Sequence, residues 1–216
     1  MLDKGGLLRP PRVDERGLSM AKMLSDEALD TIFRQARSHN LWAEQDVSQT
    51  MLRAIYELAK WGPTSANCSP ARFVFLVTQA AKQRIKPHLS PNNVDKVMKA
   101  PACVIIAYDT EFYDKLPKLF PHNPGAREWF AGKTQFAETS GFRNGTLQGA
   151  YFMIAARALG IDCGPMSGFN NEAVDKEFFP DGKIKSNFIC SIGHGDPKGL
   201  FTRSPRLAFD EACKIL

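Results

Sequence analysis

The chain has 216 residues, 44% of them hydrophobic and 24% charged, a balance that fills a core without disulfide or metal staples and excludes disorder or a coiled coil as a description of the whole. Its 28 Lys and Arg against 23 Asp and Glu give a formal net charge of +5. The basic residues are scattered with no run of three, which suits a small phosphate-bearing ligand better than a nucleic acid.

Five dispersed cysteines without a C-x-x-C pair argue against a disulfide framework or a zinc site. No apolar stretch is long enough to span a bilayer or to act as a secretory leader, so a cytoplasmic location is expected.

Residues 1–23 carry Gly5, Gly6, Pro10 and Pro11 without periodicity and read as a flexible extension, leaving 24–216 as one domain. From Ser25, Ala28, Leu29, Ile32, Phe33 and Ala36 recur at helical spacing, so a first helix is expected to end near Ser38, with Ser25 or Asp26 as its cap. A second helix has Ser48 as cap, Leu52, Ile55 and Ala59 on one face, and Gly62-Pro63 as its stop. Phe73–Val77 reads as a strand, followed by a short helix through Ile85, another over Val94–Met98, and a strong strand over Ala102–Tyr108.

Residues 109–128, with Pro117, Pro121 and Pro124, read as a long surface excursion. The longest helix is expected over 134–159, stopped by Gly160. Ala137, Gly141, Gly145 and Gly149 fall on one of its faces, and each glycine costs about 1 kcal/mol against Ala. That smooth stripe implies close backbone approach of another helix, so this helix is expected to be buried or to lie at a subunit interface. A short strand near Ile161–Cys163, a turn over Gly164–Gly168, a helix over Glu172–Phe178 and a strand over Asn187–Ile192 complete the chain.

Gly193-His194-Gly195-Asp196-Pro197-Lys198-Gly199 superficially offers a phosphate loop, but no helix opens from it, so it reads as a plain turn. Walker A, G-x-S-x-G and H-E-x-x-H patterns are absent, the four histidines stand apart, and no metal site is expected. Cys68 reads as an unreactive loop residue rather than a nucleophile.

Three segments together are informative. Gly62-Pro63-Thr64-Ser65-Ala66-Asn67-Cys68-Ser69-Pro70 resembles the A-P-S-S-x-N-x-Q-P segment of the FMN-dependent nitroreductase family. Gly164-Pro165-Met166-Ser167-Gly168-Phe169 resembles that family's P-x-x-G-F turn, and Arg203 and Arg206 stand where it keeps its last phosphate contacts. The order and spacing match over residues 25–216. Within the family, Pro63–Phe73, Phe142–Gly145, Gly164–Phe169 and Pro205–Leu207 are most similar to the malonic semialdehyde reductases of bacterial pyrimidine utilisation.

The resemblance implies an α+β fold, a mostly antiparallel sheet flanked by helices, in a homodimer with FMN at the subunit interface and the glycine-striped helix within that interface. NADH or NADPH would give a hydride to flavin N5, and malonic semialdehyde would take it to become 3-hydroxypropionate. A broad nitroaromatic or quinone reductase, a flavin reductase and a non-catalytic FMN-binding protein are the alternatives.

Arg37, Ser38, His39 and Asn40 would hold the phosphate as a group. In one register Ser38 takes the family serine position and Ala36 and Asn40 the basic ones; in the other His39 takes the serine position. Pro63, Thr64, Ser65 and Asn67 would wrap the ribityl chain and ring edge. Asn93 and Lys96 would approach the ring, with Lys96 near N1 and O2. Pro165, Met166, Ser167 and Gly168 would bring a backbone N–H to N5. Ser69 and Ala71 depart from the family Gln and Trp. Arg127, Arg143 and His122 are the candidate contacts for an acidic substrate, with structural ion pairing as the alternative.

Overall fold

The computed structural model describes residues 23–216, so the expected extension lies almost entirely outside them. Ser25 caps α1 (Asp26–Leu29) through its hydroxyl, which accepts the Ala28 N–H at 3.2 Å. The helix widens into a π-turn over Asp30–Arg34 and stops, short of the expected Ser38. The reason lies downstream: the His39 N–H donates to the Cys163 carbonyl at 3.0 Å, so the backbone at 38–39 is bound laterally to a strand.

Ser48 caps α2 (Gln49–Ala59) as expected. Strand β1 (Ala71–Leu76), α3 (Gln79–Ile85), α4 (Pro91–Met98) and β2 (Ala102–Asp109) follow. Residues 109–130 are not an open excursion: single helical turns and α5 (Leu116–Leu119) fold Phe112, Leu116, Ala126 and Phe130 over a small core with Cys68 and Ala137. Pro117 and Pro124 stand in the first positions of two of these elements, where their missing N–H costs nothing.

After α6 (Thr134–Ala158), β3 (Asp162–Met166) runs three residues beyond the expected strand and absorbs most of the expected turn, leaving Ser167-Gly168 as its exit. Pro165 is tolerated because β3 is an edge strand. The chain ends with α7 (Asn171–Phe178), β4 (Ile184–Gly193) and α8 (Phe209–Ala212).

The four strands form one antiparallel sheet in the order β1-β2-β4-β3. Strand β2 is buried on both faces. Ala102, Val104 and Ile106 pack with α2 and α6 residues Leu52, Ile55, Phe152 and Ala155, while Cys103, Ile105 and Ala107 pack with Ile85, Val97 and Val174 on the other side. The α+β architecture expected from sequence is therefore present.

The glycine stripe, however, faces this sheet and not a second subunit. A Cβ on Gly145 would come within 2.9 Å of Tyr108 Cβ, and one on Gly149 within 2.7 Å of the Phe188 ring. The propensity lost at the glycines is offset inside the protomer, by a helix backbone lying directly on β2 and β4. On the outer surface Leu147 and Tyr151 of α6, with Leu58 and Trp61 beside α2, are exposed.

Candidate functional site

At the start of β3 the chain builds an arginine-lined cavity of about 650 Å³. Arg37, Ser38 and Asn40 enter from the segment after the π-turn, Arg157 from the last turn of α6, and Arg203 and Arg206 from the C-terminal segment, which has no regular structure until α8. Arg37 donates to the Phe201 carbonyl and Arg203 to the Ala36 carbonyl, the latter at 3.1 Å, so the two segments hold each other. No carboxylate lines this cavity, and none of the four arginines forms an ion pair among the described residues.

His39 turns away from the cavity. It is buried, with Nε2 3.5 Å from Asp162 Oδ1 and its ring against Gly195 and Trp42. Ala36, Arg37, Ser38 and Asn40 line the cavity instead.

The other end of β3 delivers a second grouping. Asn93 Nδ2 donates to the Gly168 carbonyl at 3.0 Å, and the same carbonyl accepts the Ser90 N–H at 3.0 Å. A Cβ at Gly168 would lie 2.6 Å from Asn93 Nδ2, so a larger residue here would displace the Asn93 amide that holds the turn. Lys96, one helical turn beyond Asn93, is half-buried and its ammonium has no acidic partner among the described residues.

Pro63, Thr64, Ser65 and Asn67 lie elsewhere. Ser65 N–H donates to Asn144 Oδ1 at 2.8 Å and Asn67 Nδ2 to the Leu119 carbonyl at 2.8 Å. Asn144 and Arg157 stand on the same helix thirteen residues apart, roughly 20 Å at 1.5 Å per residue. Within one chain the 63–67 loop and the arginine cavity are therefore separate.

Backbone strain concentrates in this loop: Ala66, Asn67 and Ser69 have φ of 50°, 48° and 40°, a region that side-chain-bearing residues adopt at a cost. The loop is held by Asn144 on Ser65, by Thr64 Oγ1 on the Ser69 N–H at 3.1 Å and by Gln148 Oε1 on the Ala71 N–H at 2.8 Å. Cys68 is buried beneath it and burial pushes its thiol pKa up to about 11, which disfavours the thiolate.

Of the candidate substrate contacts, Arg127 is committed to Asp114 at 2.9 Å and Glu128 at 3.2 Å, His122 packs against Phe120 at a ring separation of 3.9 Å, and Arg143 is exposed.

Sequence reasoning missed Asn144, Gln148 and Arg157. Asn144 and Gln148 each precede a stripe glycine by one residue and stand four apart, so their polar side chains share a buried helix flank. That was the available signal.

The structure defines an α+β protein with a single antiparallel sheet, helices on both faces and an arginine-lined cavity. The nitroreductase family profile matches residues 12–194, and the chain belongs to that family. A protein of Cupriavidus pinatubonensis that carries the name NADH dehydrogenase/NAD(P)H nitroreductase is 56% identical over 195 residues, covering 89% of this chain and 100% of the relative. HadB of Ralstonia pickettii, under the same name, is 58% identical over 195 residues, with the same coverage. Among solved structures, a nitroreductase of Exiguobacterium sibiricum in complex with FMN superposes with a TM-score of 0.76 at 18% identity, covering 91% of this chain and 100% of that one. A Bacillus subtilis nitroreductase gives 0.76 at 21% identity over 88% and 99%. At these identities the structural likeness is one of fold.

Proposed function

We propose that this chain is an FMN-dependent NAD(P)H oxidoreductase, working as a homodimer, that reduces a small aldehyde, malonic semialdehyde, to 3-hydroxypropionate. The observation that carries the cofactor reading is the arginine cavity. Its guanidiniums and the Ser38, Thr202 and Ser204 hydroxyls line it without a carboxylate, which suits a phosphate monoester dianion. The FMN-bound structure of a fold relative supports the same cofactor, and the names of the close relatives support NAD(P)H as reductant.

In this reading Arg37, Ser38, Asn40, Arg203 and Arg206 hold the phosphate. Strand β3 carries the site from there to Ser167 and Gly168, whose backbone meets the ring edge, with Pro165 and Met166 leading to them. Asn93 fixes Gly168, and Lys96 keeps an unpaired positive charge where the reduced ring would become negative. When bound, FMN supplies hydride acceptance and donation at N5. His39 serves by packing behind the phosphate segment.

The separation of the 63–67 loop from the cavity supports a site completed by a second copy, whose Pro63, Thr64, Ser65 and Asn67 would meet the ring. That copy docks on the outer surface of α2 and α6, where Leu58, Trp61, Leu147 and Tyr151 are exposed. The glycine stripe takes no part in this contact.

The purified protein is expected to be yellow and to release FMN on denaturation. NADH or NADPH should bleach it anaerobically, and malonic semialdehyde should restore the colour while forming 3-hydroxypropionate. Colourless protein that takes up no FMN overturns the whole reading, whereas restored colour with a quinone but not with the aldehyde overturns the substrate alone.

A further inference from the structure

Arg157 stands in the last turn of α6 and lines the arginine cavity. Its contact with the rest of the chain is a long Nη1 hydrogen bond, 3.4 Å, to the Ile32 carbonyl. Its Nε is buried and has no acceptor among the described residues. A guanidinium N–H stripped of water and given no acceptor is costly, because the lost hydration is not replaced.

The cavity itself offers no remedy. Its lining holds no carboxylate, Arg37 and Arg203 are themselves donors turned toward the carbonyls of Phe201 and Ala36, and Ser38, Asn40, Thr202 and Ser204 offer only neutral oxygens, none of which accepts from Arg157. What the arrangement lacks is an acceptor with several oxygens. The C-terminal end of α6 also favours a cation without needing an acidic side chain, so the charge of Arg157 stays available to a ligand.

We propose that Arg157 is a phosphate-binding residue whose guanidinium donates to a phosphate monoester in this cavity. The inference rests on the reading of the cavity as the FMN phosphate site and adds to it a residue from α6.

The test compares Arg157→Met, which keeps the apolar stem, and Arg157→Lys, which keeps the charge but not the planar fork, with the parent full-length protein. FMN and riboflavin dissociation constants are measured by fluorescence quenching, and melting temperatures with and without inorganic phosphate. Arg157→Met should weaken FMN on the order of tenfold to a hundredfold, the scale of one charge-assisted hydrogen bond, and leave riboflavin unchanged. It should shrink the phosphate-induced rise in melting temperature and leave the ligand-free melting temperature at or above the parent's. Arg157→Lys should fall between the two.

A structural role would give a different pattern: a lower ligand-free melting temperature and equal losses for FMN and riboflavin. That result, or FMN affinity and phosphate shift both equal to the parent's, overturns the proposal. A parent stabilised by phosphate that takes up no flavin would instead overturn the flavin reading, and the assignment would stand or fall on whether Arg157→Met reduces the phosphate shift.

Discussion

Replacing Gly145 by alanine sets two effects of opposite sign against each other. In an exposed helix the change gains about 1 kcal/mol. Here the new Cβ would lie 2.9 Å from Tyr108 Cβ, against the roughly 3.5–4.0 Å of an optimal carbon contact. Tyr108 Cβ is attached directly to β2, a strand paired on both sides, so it cannot recede. The helix must instead rise by several tenths of an ångström, which loosens the packing of Phe152 and Ala155 further along. Overpacking of this kind costs about 1–3 kcal/mol, leaving a net loss near 1 kcal/mol, or roughly 2–4 °C in melting temperature for a chain of this size. Gly149→Ala should cost less despite its 2.7 Å contacts, because those atoms are the far end of the half-buried Phe188 ring. Thermal unfolding of both variants, with oligomeric state followed by sedimentation, checks the order. A Gly145→Ala protein that melts above its parent would refute the placement of the stripe against β2, and loss of a dimer with an unchanged melting temperature would return the stripe to an intersubunit contact.

Three further outcomes are expected. Arg37→Met should weaken FMN by about tenfold or more and lessen the salt dependence of binding, read by titration at two ionic strengths; unchanged salt dependence would remove Arg37 from the phosphate. Gly168→Ala, which drives a Cβ into Asn93 Nδ2, should retain FMN but slow its bleaching by NADH in stopped flow, and normal bleaching would detach this turn from the ring. Cys68 has its thiol raised from 9.0 to about 11 by burial, so its stabilising contribution is complete below pH 9 and is lost as pH rises toward 11. The stability gap between parent and Cys68→Ala should narrow by roughly 1 kcal/mol between pH 7 and pH 10 in reducing denaturant titrations, and a constant gap would contradict the burial.

Apolar periodicity made the strands and the two long helices legible, because β2 and α2 bury residues whose spacing admits one reading. Their neighbours were not legible. The glycine spacing of α6 says which face is smooth, but a smooth face accepts a sheet as readily as a helix, and only the tertiary contact with Tyr108 and Phe188 decides. The 109–130 segment was hidden by its prolines, which mark turns without revealing that Phe112, Leu116 and Phe130 close over Cys68. At the phosphate segment, the sequence supplied Arg37, Ser38, His39 and Asn40 as a group, and the lateral bond of His39 to Cys163 sorted them into cavity-facing and buried residues.

Helix α6 connects these observations. One face of it lies on the sheet, Asn144 and Gln148 on its flank clamp the strained 63–71 loop, and Arg157 at its end enters the arginine cavity. A rigid helix seated by close backbone contact fixes the spacing between loop and cavity at roughly 20 Å, and the glycines are what let it sit that close. The clamp also explains how Ala66 and Asn67 can keep left-handed backbones without glycine: the Ser65 N–H is held at 2.8 Å by a buried amide, so relaxing the loop would leave that acceptor unpaired. In the proposed homodimer, this held loop would serve the partner's cavity rather than its own, and the exposed Leu147 and Tyr151 on the outer face of the same helix would lie in the contact.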